Sequence, residues 1–320
     1  MKYILSSLLT PLILLFIVAM ASCYVRPPHT AQDVSYSGAK AGDLLIATSL
    51  EGALFVLRHT RASDVKLSLL KLKTDCVVSG ITYSSAGCFV VLVDRQFGAG
   101  AQCTPGLYRV DLTTGSTFQI AELPVTEGNR SNPMIHASHI FVSTENGLAR
   151  VTLASGQVDY PEVPRPQKKS EMAIDGNLCW YASADDQLVR LDLATSAFEI
   201  VQVENNLRGA VRVRGMIDEL VLVDNDVGPT RTFQPNPSSH DANPQATRAL
   251  QEWSYNVAAS FGWRGHSWLV RQYERPHFGI ALICIENRSN DIEIPGKYFY
   301  AAAPIPSDSE GGSAAGYSEE

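Results

Sequence analysis

Leu107-Tyr108-Arg109-Val110-Asp111-Leu112 returns as Leu148-Ala149-Arg150-Val151-Thr152-Leu153, and again as Leu188-Val189-Arg190-Leu191-Asp192-Leu193. The steps are 41 and 40 residues. A fixed step of that size marks one supersecondary unit repeated, because a single unit cannot bury its apolar face alone. Positions two, four and six of the hexapeptide are always apolar, while the other face carries Leu, Arg, and Asp or Thr. Period-two alternation is a strand signature. Glu145-Asn146-Gly147 precedes the second copy and Asp185-Asp186-Gln187 the third. Asn-Gly supplies the positive φ angles of a tight hairpin turn. Small polar turns follow at matching offsets: Thr113-Thr114-Gly115, Ala154-Ser155-Gly156 and Ala194-Thr195-Ser196.

Working outward, the residue before the third strand of each unit is Gly52, Gly106, Gly147, Gln187, Gly228 and Gly279. Six units of this size span nearly all of residues 42–300. The fold expected is all-β, a single β-propeller over 42–304 with six blades, seven being the alternative. Lys297 to Ala302 reads as a strand that closes the ring by joining the first blade, hiding an edge. Gly106 to Gly115 (GLYRVDLTTG) resembles the "Leu-Tyr-x-x-Asp-x-x-Thr-Gly" phrase of bacterial quinoprotein-like and NHL-like propellers, and the later copies match it in part. That resemblance is at superfamily level and covers three blades. In the wider superfamily, lactonases and related hydrolases hold a channel metal with acidic residues and Asn. Those ligands are not placed on any residue of this chain.

Both ends read as something other than blade. Lys2 is followed by a run from Ile4 to Ala21 that is apolar apart from Ser6, Ser7 and Thr10. This is a signal-peptide pattern over 1–22. Met20-Ala21-Ser22-Cys23 resembles a bacterial lipobox, which implies cleavage before a lipidated Cys23 and tethering to a membrane surface. A plain cleaved signal or an uncleaved anchor is the alternative, with Pro11 interrupting a run that approaches the roughly 18–20 residues of a span. Residues 23–41, polar with two prolines, read as a tether. Residues 305–320 read as a disordered acidic tail. The location expected is therefore exported and membrane-anchored, facing the periplasm or cell surface.

Besides Cys23 there are Cys76, Cys88, Cys103, Cys179 and Cys284, an odd number. Export permits disulfides. Cys88 and Cys103 flank an expected hairpin and are the pair expected; Cys179 and Cys284 lie in apolar strands and read as buried thiols. No Cys-x-x-Cys occurs. Lys and Arg total 26 against 33 Asp and Glu, with no basic cluster, which argues against a nucleic-acid partner.

Arg109, Arg150 and Arg190 at one repeat position form either a guanidinium ring around a channel or ion pairs with carboxylates such as Asp111 and Asp192. Asp185-Asp186 and Asp224-Asn225-Asp226 have turn chemistry and lack the spacing of a calcium loop. His136 and His139, three apart on one strand, would face opposite sides, a poor pair for one metal. No nucleophile elbow, phosphate loop or His-Glu-x-x-His is present. No catalytic residue, metal ligand or cofactor is assigned. Trp253, Tyr255, Trp263 and Trp268 are the binding surface expected, the alternative being packing between the last blades. The function expected is a non-enzymatic binding or scaffold module for protein or glycan partners. A propeller enzyme of lactonase or quinoprotein type, with a metal or cofactor in its channel, is the alternative.

Overall fold

The computed structural model describes residues 29–61, 64–94, 103–126, 128, 131–168, 170–201, 211–217, 220–225, 231–233, 257–273 and 278–307. Cys23, Trp253, Tyr255, Asp226, the signal segment 1–22 and the tail from 308 onward lie outside the described residues.

Two short strands, β1 (His29–Thr30) and β2 (Gln32–Val34), precede β3 (Leu44–Thr48), β4 (Ala53–Arg61) and β5 (Asp64–Lys71). Three four-stranded units follow. They are β6 (Val77–Ser84), β7 (Gly87–Val93), β8 (Gly106–Val110) and β9 (Thr117–Glu122); β10 (Met134–His136), β11 (His139–Thr144), β12 (Gly147–Thr152) and β13 (Val158–Asp159); and β14 (Met172–Asp175), β15 (Leu178–Ala182), β16 (Leu188–Asp192) and β17 (Phe198–Val201). Then come β18 (Val211–Ile217), β19 (Leu220–Asn225) and β20 (Arg231–Phe233). The last unit is β21 (Val257–Trp263), β22 (His266–Tyr273), β23 (Gly279–Cys284) and β24 (Ile292–Pro295), and the chain ends on β25 (Phe299–Pro304).

Each unit is an antiparallel meander, and together they make an all-β propeller. In place of six complete blades, the described residues form five sheets of four or five strands and one of three, β18–β20. The hexapeptides form the third strands β8, β12 and β16, as the repeat requires. The core lies between blades. One apolar cluster joins Leu54, Val78, Val90 and Ala149 from the first three units, and another joins Leu44 and Phe55 to Trp268 and Leu282 across the first and last. Burying both faces of a blade explains near-continuous apolar strands such as Gly87–Val93, buried throughout except at the glycine.

The ring is closed at two radii. At the inner edge β25 pairs antiparallel with β3, as the sequence predicts for this segment. At the outer edge β1 pairs parallel with β24 of the last blade and β2 parallel with β5 of the first. The six-residue stretch His29–Val34 thus straps the seam from outside. This corrects the expectation that residues 23–41 are a free tether, since from His29 onward the segment is docked. Short extended pieces find partners on outer strands because unpaired N–H and C=O groups are exposed there. Within the first blade, beside the seam, Arg58 Nε and Nη2 donate to Asp43 Oδ1 (3.0 Å) and Oδ2 (2.7 Å). Arg58 Nη2 also donates to Gly38 O, and Trp263 Nε1 donates to Gly42 O at 2.9 Å.

The disulfide expectation is also corrected: Cys103 pairs with Cys76, and Cys88 is a buried free thiol. Register explains it. Val77 stands opposite Val93 and Leu92 opposite Gly106, which puts Cys76 and Cys103 at one end of the blade. Cys88 stands opposite Tyr83 and Val110, at the other end. Cys179 and Cys284 are buried free thiols, as expected.

Candidate functional site

The innermost strands are β6, β10, β14, β18, β21 and β25, and they line the channel. Four of them slip register once against their neighbours: β6 between Val78 and Gly80, β18 between Val213 and Gly215, β21 between Val257 and Ala259, β25 between Phe299 and Ala301. A bulge inserts a residue and re-aims its side chain. The inserted residues are Ser79, Arg214, Ala258 and Tyr300. Three of them line a channel cavity of about 160 Å³, with Glu171, Arg212 and Phe299. Gly215 permits its bulge because its φ is +117° and because a Cβ there would stand 2.7 Å from the Ser260 carbonyl oxygen.

Asn132 and Glu171 form the polar centre of this channel. Both lie in the linkers just ahead of an innermost strand. Asn132 Oδ1 accepts from the Ile81 N–H (3.2 Å) on β6, and its Nδ2 donates to Ala302 O (3.3 Å) on β25. The Asn132 N–H donates to Glu171 Oε2 at 3.0 Å. The Glu171 N–H donates to Val213 O, and the Ser170 hydroxyl accepts from the Val213 N–H, both at 2.9 Å, tying this linker to β18. Glu171 is buried, and burial pushes its carboxyl up to about 7; the Asn132 N–H and the Arg214 charge act against that rise. A protonatable carboxyl beside guanidinium groups has the ingredients of acid–base chemistry. Here it is also one node of a network joining the inner strands β6, β18 and β25. Among the described residues no three His, Cys, Asp or Glu side chains converge in the channel as a channel metal would require.

The residues singled out in the sequence lie elsewhere. Trp263 and Trp268 are 2% and 1% exposed, with ring centroids 5.2 Å apart, and Trp268 Nε1 donates to Trp263 O. They pack between the last and first blades, which corrects their reading as binding surface. The aromatic surface of two rings is the apolar filling of this wide seam. The repeat arginines do not ring the channel. Arg150 bonds Asp159 (Nε to Oδ1, 2.9 Å) and Arg190 pairs with Glu199 (2.8 Å), each with the residue opposite on the outermost strand. In the second blade the residue opposite Arg109 is Phe118. Asp111 and Asp192, expected as the arginine partners, instead cap the next turn. Asp111 accepts from the Thr114 hydroxyl and the Thr113 N–H, and Asp192 from the Thr195 and Ala194 N–H groups. Those bonds hold both carboxyls below the usual range.

Asp185 and Asp186 form a turn, with Asp186 at φ +59° and accepting from Gln167 Nε2. His136 and His139 stand directly opposite each other across the β10–β11 turn, not on opposite faces, because the chain reverses at Ala137 (φ +50°). His136 Nε2 lies 2.8 Å from Asn177 Oδ1.

Large apolar side chains do reach solvent, along outermost strands. Phe118 on β9 is 59% exposed; Phe198 and Ile200 on β17 are 45% and 49% exposed. Phe118 rims an open pocket of about 500 Å³ with Tyr83, Arg109 and Asp111. The sequence reading missed this because isolated aromatics on short outer strands carry no pattern.

No known protein-family description matches the chain, and no curated protein resembles it in sequence. Solved structures similar in fold include BamB from Moraxella catarrhalis, at 14% identity and a TM-score of 0.39, covering 80% of this chain and 70% of that one. Human WBSCR16 is similar at 11% identity and a TM-score of 0.44, covering 86% and 85%. The extracellular domain of the one-component system BT4673 from B. thetaiotaomicron is similar at 16% identity and a TM-score of 0.42, covering 66% of this chain and 27% of that one. Among the described residues no helix is long and apolar enough to cross a membrane.

Proposed function

We propose that this chain is an exported, lipid-anchored propeller that binds protein or glycan partners through its outer rim and performs no chemistry in its channel. The observation that carries the reading is the exposure of Phe118, Phe198 and Ile200 on outermost strands of the repeat blades. Large apolar groups exposed on outer strands are surface that a partner could cover. The channel supports the same reading, since its cavity is below the roughly 300 Å³ where small-molecule sites begin.

Photo-crosslinking residues placed at 118 and 198 in the full chain, in membranes of the host, test it. Discrete adducts at both positions, and none at exposed Ser155 on another turn, are expected. Adducts no stronger than those at Ser155, together with no glycan retained by the wild-type protein on an array, would count against it. Cys23→Ser should move the chain from the membrane to the soluble fraction; an unchanged membrane fraction would remove the lipid anchor. The enzyme alternative rests on Glu171 alone. It would be favoured if Glu171→Gln abolished turnover of a lactone or ester panel by a folded protein.

A further inference from the structure

The last blade holds a cluster of side chains that the channel does not use, with its one buried member set in the seam packing. Trp268 on β22 stands opposite Cys284 on β23. Continuing that antiparallel register two residues outward puts His266 opposite Glu286. Residues directly opposite share a face, as do residues two apart on a strand. His266, Cys284 and Glu286 therefore project to one side at the end of one hairpin. Their donor atoms all lie within 4.8 Å of one another. His266 Nδ1 is 3.7 Å from Glu286 Oε2, and Cys284 Sγ is 3.6 Å from the same oxygen.

From these contacts we propose that His266, Cys284 and Glu286 bind a zinc-class divalent cation, with one coordination position left open to solvent. Tetrahedral zinc, with metal–ligand bonds of about 2.0–2.3 Å, separates its ligands by roughly 3.3–3.6 Å. Both separations are within a few tenths of an ångström of that range. A nitrogen, a sulfur and a carboxylate oxygen form a mixed set that suits zinc over magnesium or calcium, which take oxygen alone.

The groups around the cluster hold it in place. The Ser267 N–H donates to both oxygens of Glu286, at 2.9 and 3.1 Å. Asp291 Oδ1 accepts from the Cys284 N–H at 2.9 Å, and Arg288 grips Asp291 Oδ2. Such outer bonds orient ligands before a metal arrives. Cys284 is buried, while the His266 and Glu286 side chains are 39% and 28% exposed. The sulfur thus forms the floor, and the fourth position faces outward, where water or a donor atom from a bound partner completes the shell. On binding, the Cys284 S–H bond breaks, its sulfur bonds the metal, and the proton leaves to solvent.

Cobalt(II), which takes the same tetrahedral sites and is coloured, is the probe. The full chain, with its Cys76–Cys103 bridge intact, is titrated with cobalt(II) and back-titrated with zinc(II). One equivalent is expected, with a sulfur-to-cobalt charge-transfer band that zinc abolishes. Cys284→Ser should remove that band. His266→Asn and Glu286→Gln, both at half-exposed positions that leave the blade packing intact, should each weaken binding by at least about tenfold. No charge-transfer band in the wild-type protein, a band that survives Cys284→Ser, or unchanged affinity in both exposed-site variants would overturn the site.

Discussion

Glu171→Gln should flatten the pH dependence of stability. In the folded protein the Glu171 carboxyl titrates at about 7, against 4.5 for the ordinary group, because burial penalises its charged form. Between these values the folded state holds a proton that the unfolded chain has released. Unfolding then releases a proton, so stability falls as pH rises from about 4.5 to about 7 and is flat on either side. A tenfold change in proton affinity is worth about 1.4 kcal/mol. The wild-type protein should therefore lose on the order of 3 kcal/mol from this one group between pH 4 and pH 8. For a ring of this size that is roughly 6–12 °C in Tm. Gln cannot ionise, yet its Oε1 can still accept from the Asn132 N–H, so the network around β6, β18 and β25 survives. The assay is thermal unfolding of both proteins across this range. The curves should meet near pH 4, diverge from about pH 4.5 and run parallel above about pH 7, with the variant the more stable. Parallel curves would refute the reasoning, and would mean that the carboxylate is fully compensated by Arg214 and the Asn132 N–H.

Other perturbations test other joints of the ring. Cys76→Ser opens a bridge across a sequence separation of 27 and should cost about 3–4 kcal/mol, whereas Cys88→Ser should leave the bridge intact by peptide mapping. Equal losses of the bridge in both variants would reverse the pairing. Asp43→Ala leaves the partly buried Arg58 without its carboxylate and should cost about 3 kcal/mol in denaturant unfolding; a loss below about 1 kcal/mol would show that this pair in the first blade contributes no more than an exposed one. Phe118→Asp places a carboxylate opposite Arg109, as Asp159 and Glu199 stand opposite Arg150 and Arg190. Stability should change by less than about 1 kcal/mol, since exposed pairs contribute little. Partner adducts at position 198 should fall at the same time; unchanged adducts would exclude Phe118 from the binding rim.

How much of this was legible follows the range of each interaction. The third strands β8, β12 and β16 announce themselves because stacked blades require an apolar face every second residue. The closing strand β25 does so because Tyr298 to Ala302 is apolar and stands where the ring must end. Strands β1 and β2 gave no such sign. They are held by backbone bonds to outer edges, such as the Ala31 N–H to Glu293 O, and such bonds ask nothing of side-chain type. The partner of Cys76 depends on the register of β6 against β7 and of β7 against β8, which spacing alone does not disclose. The reversal between His136 and His139 leaves no mark in the sequence, because Ala137-Ser138 lacks the Gly or Asn usual in a two-residue turn.

The channel was the least legible part. Its geometry comes from register slips in innermost strands, each set by hydrogen bonds between residues far apart in sequence. Glu171 reads as an ordinary charged residue ahead of a strand. Only the ring makes it a buried acid, by bringing β18 to one side of it and the Asn132 linker to the other. The repeat arginines show the converse. Asp111 and Asp192 lie two residues along the same strand, but a strand face is shared across the ladder as well as along it. In the third and fourth blades the outermost strand supplies the acid; in the second it supplies Phe118. A structural pairing rule that two repeats keep and one replaces with an exposed aromatic is a departure that folding does not demand, and it falls on the same rim as Phe198 and Ile200.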